Sequence, residues 1–344
     1  MNRRFLITGI TGQVGSHMAD YILKNTNFDV IGMMRWQESL DNIAHLTTQI
    51  NKKNRINIFY ADLNDYASIS RMIAKWKPDY ISHLAAQSFP KTSFDIPLET
   101  LQTNIIGTAN LLENIRISIE KDSKYSPIVH ICSSSEVYGK AKQGKLINEK
   151  TALHGASPYS ISKIGTDHLG QFYGEAYNIR TIVTRMGTHS GPKRSDVFFE
   201  STLAKQIALI EQGFQEPILK LGNLSSIRTF QDTRDAVNAY FLLIKASEEG
   251  KIKPGEVFNI SGVEAFKLEE VVNIFLSLSK RNDIKVLLDK NRLRPIDANY
   301  QMFDNTKLLK TINWEPKITV QEMFEDLLNH WREEISKNRI PLDR

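Results

Sequence analysis

The chain has 344 residues, of which 41% are hydrophobic and 24% charged, enough for one large folded unit or two joined ones. Its formal charge of +5 and isoelectric point near 9.0 come from scattered basic residues with no basic–aromatic block. That pattern argues against a nucleic-acid partner and suits a small anionic ligand. One cysteine, Cys132, excludes an intrachain disulfide. With no signal-peptide core and no apolar run near ~18 residues, a cytoplasmic protein without a membrane partner is expected.

The first strand-like run is FLIT (5–8), followed at once by TGITGQVG and a helical pattern over 13–24. Gly9, Gly12 and Gly15 are spaced so that backbone N–H groups can approach a pyrophosphate at a helix N-terminus. A glycine-rich turn directly between a strand and a helix is a fair sign of a dinucleotide site, with Thr11, Gln13 and Val14 completing the loop. DVIGMM (29–34) is the second strand, and Arg35 stands at its end, where an acid would hold an NAD ribose. An arginine there can pair with a 2′-phosphate and favours NADP; the alternative is a solvated side chain. INIFYA (56–61) is the third strand, after which Asp62 and Leu63 can flank an adenine while Asn64 or Asp65 caps the helix over 66–76.

YISHLAA (80–86) is the fourth strand, and one long helix is expected over 98–119. IVHICSS (128–134) and RTIVTRM (180–186) follow, with a helix over 158–177 between them. EVFNISG (256–262) reads as one more strand. Strand–helix alternation of this kind gives an α/β fold with a doubly wound parallel sheet. The less regular segments predict a smaller lobe. We expect residues 1–186 plus about 231–262 to form the sheet domain, and about 187–230 plus 263–344 the lobe. A ligand site is expected in the cleft between them.

Tyr159 and Lys163 lie four apart on the 158–177 helix, hence on one face. A nearby ammonium favours phenolate, so such a tyrosine can take a proton from a sugar hydroxyl while hydride leaves the same carbon. Ser134, at the end of the fifth strand, can hydrogen-bond that hydroxyl; it can equally satisfy the backbone where the strand stops. Cys132 reads as core, and the eight histidines show no metal-ligand spacing.

TGITGQVG, ADLND, HLAAQS, SSSEVYG, SPYSISK, LKLGN followed by Arg228, and RPID together resemble an extended short-chain dehydrogenase/reductase. Within it the chain is most similar to GDP-mannose 4,6-dehydratases and their relatives, the GDP-4-keto-6-deoxymannose reductases. The resemblance runs over nearly the whole chain and implies a Rossmann-type fold with an interleaved nucleotide-sugar lobe. It implies NADP as cofactor, with NAD as the alternative, and adds Leu84, Ala85 and Ala86 to the cofactor contacts. It also gives Glu136 a role. Ser134, Ser135 and Glu136 match the family's Thr/Ser, small-or-acidic, Glu order, so Glu136 is expected to take the C5 proton once C4 is a ketone, with Ser135 or Glu136 delivering a proton to the departing C6 hydroxyl.

By the same resemblance Ser88 lies near the sugar and Gln87 beside the nicotinamide. Asn223, Arg228 and Arg294 fall at positions that grip the diphosphate and ribose, and Asp297 at one for ribose hydroxyls. Thr188-His189 stands where the family has Asn-His, so the contact at Thr188 is altered. Trp36 replaces a second family arginine, and the helix over 204–213 is closer to the reductases. These departures allow a related sugar such as a GDP-manno-heptose. The expected activity is that of a GDP-sugar 4,6-dehydratase. The rivals are a 4-ketoreductase, C4 oxidase or epimerase on the same scaffold, and a non-catalytic nucleotide-binding protein. A homodimer or homotetramer pairing helices near 98–118 and 158–177 is expected.

Overall fold

The structure, a computed structural model, describes residues 2–140, 144–290 and 300–337; the expected contacts Arg294 and Asp297 lie outside the described residues. The chain opens with β1 (Arg4–Thr8), α1 (Gln13–Asn25), β2 (Asp29–Met34), α2 (Thr47–Asn51), β3 (Ile56–Tyr60), α3 (Tyr66–Trp76) and β4 (Tyr80–His83). Next come α4 (Thr92–Asp95), α5 (Pro97–Leu101), α6 (Gly107–Lys121), β5 (Ile128–Cys132), α7 (Pro158–Tyr177) and β6 (Arg180–Met186). The remainder comprises β7 (Thr188–Ser190), α8 (Phe199–Glu211), β8 (Ile218–Leu221), β9 (Ile227–Asp232), α9 (Thr233–Glu248) and β10 (Glu256–Ile260). It ends with β11 (Ala265–Lys267), α10 (Leu268–Leu278), β12 (Lys285–Leu288), β13 (Tyr300–Gln301), α11 (Thr306–Thr311) and α12 (Val320–Ser336).

Seven strands form one parallel sheet in the order β10-β6-β5-β4-β1-β2-β3. The strand order reverses at β1 and β4, and the crevice beyond their C-terminal ends is where such sheets bind ligands. Apolar side chains of α1 and α9, among them Met18, Ile22, Tyr240 and Leu243, cover one face. Ile69 and Met72 of α3, Leu111 and Ile115 of α6 and Tyr173 of α7 cover the other. A separate core joins α8, α10 and α12 to β8 and β9, with Phe275, Phe324 and Leu328 fully buried. Each such side chain contributes about 1.5–3 kcal/mol relative to exposure. No described helix is long and apolar enough to cross a membrane.

Two elements depart from the sequence expectation. The fourth strand stops at His83 because the Thr8 hydroxyl captures the N–H groups of Leu84 and Ala85, at 3.0 and 3.1 Å, and turns the chain out of the ladder. The single helix expected over 98–119 is broken by a π-turn at Gln102–Ile106 between α5 and α6. Within that turn the Asn104 carbonyl accepts from the hydroxyls of Thr108 and Thr166, at 2.6 and 2.9 Å.

One buried ion pair braces the middle of the molecule. The Arg185 guanidinium grips both oxygens of Asp167 on α7, each at 2.9 Å, and also donates to the Tyr138 hydroxyl and the Glu149 carbonyl. Tyr138 belongs to the 3₁₀ turn Ser135–Tyr138 directly after β5. Removing one partner of a buried pair leaves the other charge uncompensated. Asp167→Ala is therefore expected to lower the unfolding free energy by about 3–5 kcal/mol, read by urea titration.

Candidate functional site

A cavity of about 1590 Å³ opens at the C-terminal ends of β1, β4 and β5, between the sheet and the lobe. Gly9 adopts φ +71° and lies so close to Ala85 that a Cβ would meet its backbone at 2.9 Å. A Cβ on Gly15 would sit 2.1 Å from the Gly9 carbonyl, so α1 can approach the turn only without a side chain there. Gly12 is the N-cap of α1 and offers no side-chain cap. Thr11, Gln13 and Val14 line the same turn. A diphosphate set here would meet backbone N–H donors and the positive end of a helix dipole. The residues present therefore fit a dinucleotide.

Arg35, Asp62, Leu63, Leu84, Ala85 and Ala86 line the adjoining end of the cavity. Arg35 is not solitary: its Nε donates to Glu38 at 2.8 Å, and the Thr11 hydroxyl donates to the other Glu38 oxygen at 2.5 Å. The cap of α3 is Asp65, which accepts from the Ala67 N–H, while Asp62 accepts from the Asn64 N–H at 2.9 Å.

At the reacting end Ser134, Ser135, Glu136, Tyr159 and Lys163 border one space. Ser134 starts the Ser135–Tyr138 turn by accepting the Glu136 N–H at 3.2 Å, which presents the Glu136 carboxylate to the cavity. Helix α7 begins with Pro158 behind a Ser157–Ser160 capping box, so Tyr159 falls in its first turn. Lys163 lies one turn further along, and its ammonium donates to the Cys132 carbonyl at 2.7 Å. Burial pushes the Tyr159 phenol above its ordinary value, with Ser134 and Arg194 pulling it back. The ammonium-driven lowering expected from spacing alone is thus outweighed by desolvation, and burial also draws the Lys163 ammonium down.

Gln87, Ser88, Thr188, Asn223 and Arg228 line the lobe side of the cavity. Arg228 is nine-tenths buried, and Asn223 accepts from the Ser225 backbone and hydroxyl, shaping its own loop. All the described candidates therefore border one space. His189, expected as a packed loop residue, borders it too while its Nδ1 pairs with the Gly187 carbonyl.

Two residues, Arg194 and Asn104, escape sequence reading, and a third, Gln13, read there as part of the glycine loop, makes a contact that the sequence does not announce. Arg194, almost fully buried, lies 3.5 Å over the Phe198 ring, pairs with Glu200 at 3.1 Å and faces the space beside Tyr159. Gln13 donates to the Gly191 and Pro192 carbonyls, tying that lobe loop to α1. Asn104 exchanges hydrogen bonds with the Gln87 backbone and donates to the Ser162 hydroxyl of α7. Gln13 and Asn104 find partners far along the chain, whereas Arg194 pairs with the nearby Phe198 and Glu200 and only the fold sets it beside Tyr159.

Beneath the site a buried chain of hydrogen bonds fixes a histidine tautomer. The Thr8 oxygen accepts two backbone N–H groups, so its proton goes to His83 Nδ1 at 2.9 Å. His83 Nε2–H then donates to Thr108 at 3.0 Å, whose proton goes to the Asn104 carbonyl. A charged imidazole has no place in that sequence.

The family model described as GDP-mannose 4,6 dehydratase matches residues 6–327. A GDP-mannose 4,6 dehydratase of Drosophila melanogaster is 29% identical, over 97% of this chain and 87% of its own. A GDP-6-deoxy-D-mannose reductase of Pseudomonas aeruginosa is 26% identical, over 97% and 99%. The solved structure of RMD from Pseudomonas aeruginosa complexed with NADPH superposes with a TM-score of 0.78 at 24% identity. It covers 96% of this chain and 100% of that one. At that identity the superposition speaks for the fold.

Burial holds His83, His130 and His189 down to about 3 and His17 to about 4, against an ordinary 6.5. All four lie below the unfolded value, so their neutral forms support the fold fully above pH 6.5 and that support is lost as pH falls toward 3. Between roughly pH 6 and 5 each contributes up to about 1.4 kcal/mol per pH unit. His83→Gln is expected to flatten the plot of urea-unfolding free energy against pH by about one proton's worth.

Proposed function

The chain belongs to the GDP-mannose 4,6-dehydratase family, and on that premise we propose that it removes water from a GDP-sugar of the manno type to give a GDP-4-keto-6-deoxy sugar. The observation that carries this reading is the placement of Glu136 on the turn after β5, bordering the same cavity as Tyr159 and Lys163. A nicotinamide dinucleotide bound at the glycine turn supplies the acceptor and later the donor of one hydride.

Tyr159 takes the C4 hydroxyl proton as that carbon is oxidised, with Ser134 holding the hydroxyl and Lys163 anchoring the helix turn through the Cys132 carbonyl. The new carbonyl acidifies C5–H, and Glu136 accepts that proton. The C5–C6 double bond forms as the C6–O bond breaks, and Glu136 or Ser135 delivers the proton that lets hydroxide leave as water. Hydride returns to C6 and a proton to C5, so the net change is loss of one water without net oxidation. Arg228 and Asn223, with Arg294 and Asp297, hold the nucleotide diphosphate and ribose, while Gln87, Ser88 and Thr188 adjoin the sugar.

Arg35 meets Glu38 through its Nε and lines the cavity at the end of β2, where a 2′-phosphate would lie. This supports NADP over NAD. The two-lobe division of the sequence analysis remains our reading, as does a reducing, cytoplasmic setting. Pairing of two copies through α5, α6 and α7 is supported by Leu98, Ile106, Ile161 and Phe172, all exposed there. A second reading, reduction of a 4-keto sugar, is favoured by the Pseudomonas aeruginosa reductase, matched over 99% of its length.

Incubation of GDP-mannose with the protein should give a product lighter by one water, with no net change in absorbance of the reduced cofactor. A reductase would consume NADPH instead. Glu136→Gln is expected to slow water loss by about 10²- to 10⁴-fold while cofactor reduction in the first turnover persists; equal loss of both steps would refute the assignment. Arg35→Ala is expected to weaken NADP binding by about 10- to 100-fold and NAD binding hardly at all, measured by fluorescence titration.

A further inference from the structure

Glu136 has a neighbour that does not reach the cavity. The Nε2 of Gln301, on β13 and 2% exposed, lies 3.4 Å from Glu136 Oε1. Gln301 is absent from the cavity wall, so it approaches the carboxylate from behind. Two further contacts bind the same short segment to the turn that carries Glu136. Phe303 packs on the Tyr138 ring, with centroids 6.0 Å apart, inside a small core with Val137 and Ile147. Ile147 pairs with it through the Met302 carbonyl and the Asp304 N–H, at 2.8 and 2.9 Å. On the other side Gln301 is in register with Arg228 on β9.

We propose that Gln301 is a positioning residue that sets the orientation of the Glu136 carboxylate and links it to the strand bearing Arg228. This rests on the reading of Glu136 as the base of the elimination. The chemistry suits the residue type. A half-buried carboxylate that must accept a proton and give it up is served by a donor beside it that carries no charge. An arginine or lysine there would hold the acid ionised and make it a poor base, and an apolar side chain would leave the rear oxygen unsatisfied. A carboxamide donates without titrating. At 3.4 Å the contact is long, as such contacts often are before substrate arrives and tightens them. The register with Arg228 supplies the coupling: a diphosphate that draws Arg228 toward itself pulls on the strand pair that also carries Gln301.

The test compares Gln301→Leu, Gln301→Glu and Gln301→Asn with the unchanged protein on GDP-mannose. Gln301→Leu is expected to lower kcat for water loss by about 10- to 100-fold with KM within about threefold. First-turnover cofactor reduction should be unaltered, because Tyr159 and Lys163 perform it. Gln301→Glu sets a like charge beside the base and should move the acid limb of the kcat profile upward by about one pH unit; Gln301→Asn should restore part of the rate. Normal kcat and an unmoved acid limb in both Gln301→Leu and Gln301→Glu would overturn the proposal. A thermal-melting cycle of Glu136→Gln, Gln301→Leu and the double variant reads the contact without turnover. Non-additivity above about 1 °C supports it, and strict additivity overturns it. Should the unchanged protein release no water from any GDP-sugar, the elimination reading fails and the melting cycle still decides whether Gln301 engages the acid.

Discussion

Every part of the site is referred to one buried asparagine. Asn104 has its carboxamide on the Gln87 backbone and the Ser162 hydroxyl, and its carbonyl accepts from Thr108 and Thr166. Gln87 belongs to the loop leaving β4, Thr108 to α6, and Ser162 and Thr166 to the helix that carries Tyr159 and Lys163. The carbonyl has two lone pairs, which lets it take both hydroxyls, and Asn104 itself lies within the π-turn. Through Thr108 and His83 the same connection reaches Thr8, and through Thr8 the backbone of Leu84 and Ala85 beside the glycine turn. The phosphate-binding turn and the catalytic helix therefore share one rigid, charge-neutral reference.

Charge is spent sparingly around the reacting carbon. Tyr159 and Lys163 are both buried enough that desolvation works against their charged forms, raising one and lowering the other. The two shifts run in opposite directions from nearly equal starting values, so burial moves the phenol and the ammonium apart in proton affinity and favours the neutral form of each. Arg194 adds a buried positive charge that helps the phenolate, and Glu200 compensates it at 3.1 Å so that burial is tolerated. Glu136 stands on a backbone turn of its own, yet its charge is felt at the Tyr159 phenol, which it pushes further up.

Much of this was legible in the sequence, and the illegible part has a common physical cause. DVIGMM and RTIVTRM gave strands with the observed ends because a strand buried on both faces is a continuous apolar run bounded by polar residues. TGITGQVG and the four-residue Tyr–Lys spacing are local, and local patterns survive in a one-dimensional reading. YISHLAA overran its strand because nothing in those letters reports that the hydroxyl of Thr8 will intercept two N–H groups. The helix over 98–119 hid a π-turn because apolar spacing is the same on either side of one inserted residue. Arg194 stands in a loop, Gln301 in a short strand and Gln13 at the start of α1, and what makes each matter is a group elsewhere in the chain. Only the fold brings the pairs together.

The distribution of contributions between the two parts of the molecule follows from what each step requires. The glycine turn, Asn104, Tyr159 and Lys163 all rest on the parallel sheet or its helices, where geometry is stiffest. Arg194, Thr188 and Arg228 come from the lobe, and Gln13 reaches out of α1 to bind the lobe loop at Gly191 and Pro192. Glu136 lies at the seam, its turn capped by Ser134 at the end of a sheet strand and backed by Gln301 from the strand beside Arg228. On the proposed reading, the sheet side carries the groups assigned to oxidation, and the acid assigned to elimination stands where the sheet meets the residues assigned to the nucleotide. For a reaction that must pass through an activated ketone without releasing it, that placement puts the proton-removing acid next to the part that would hold the substrate in place.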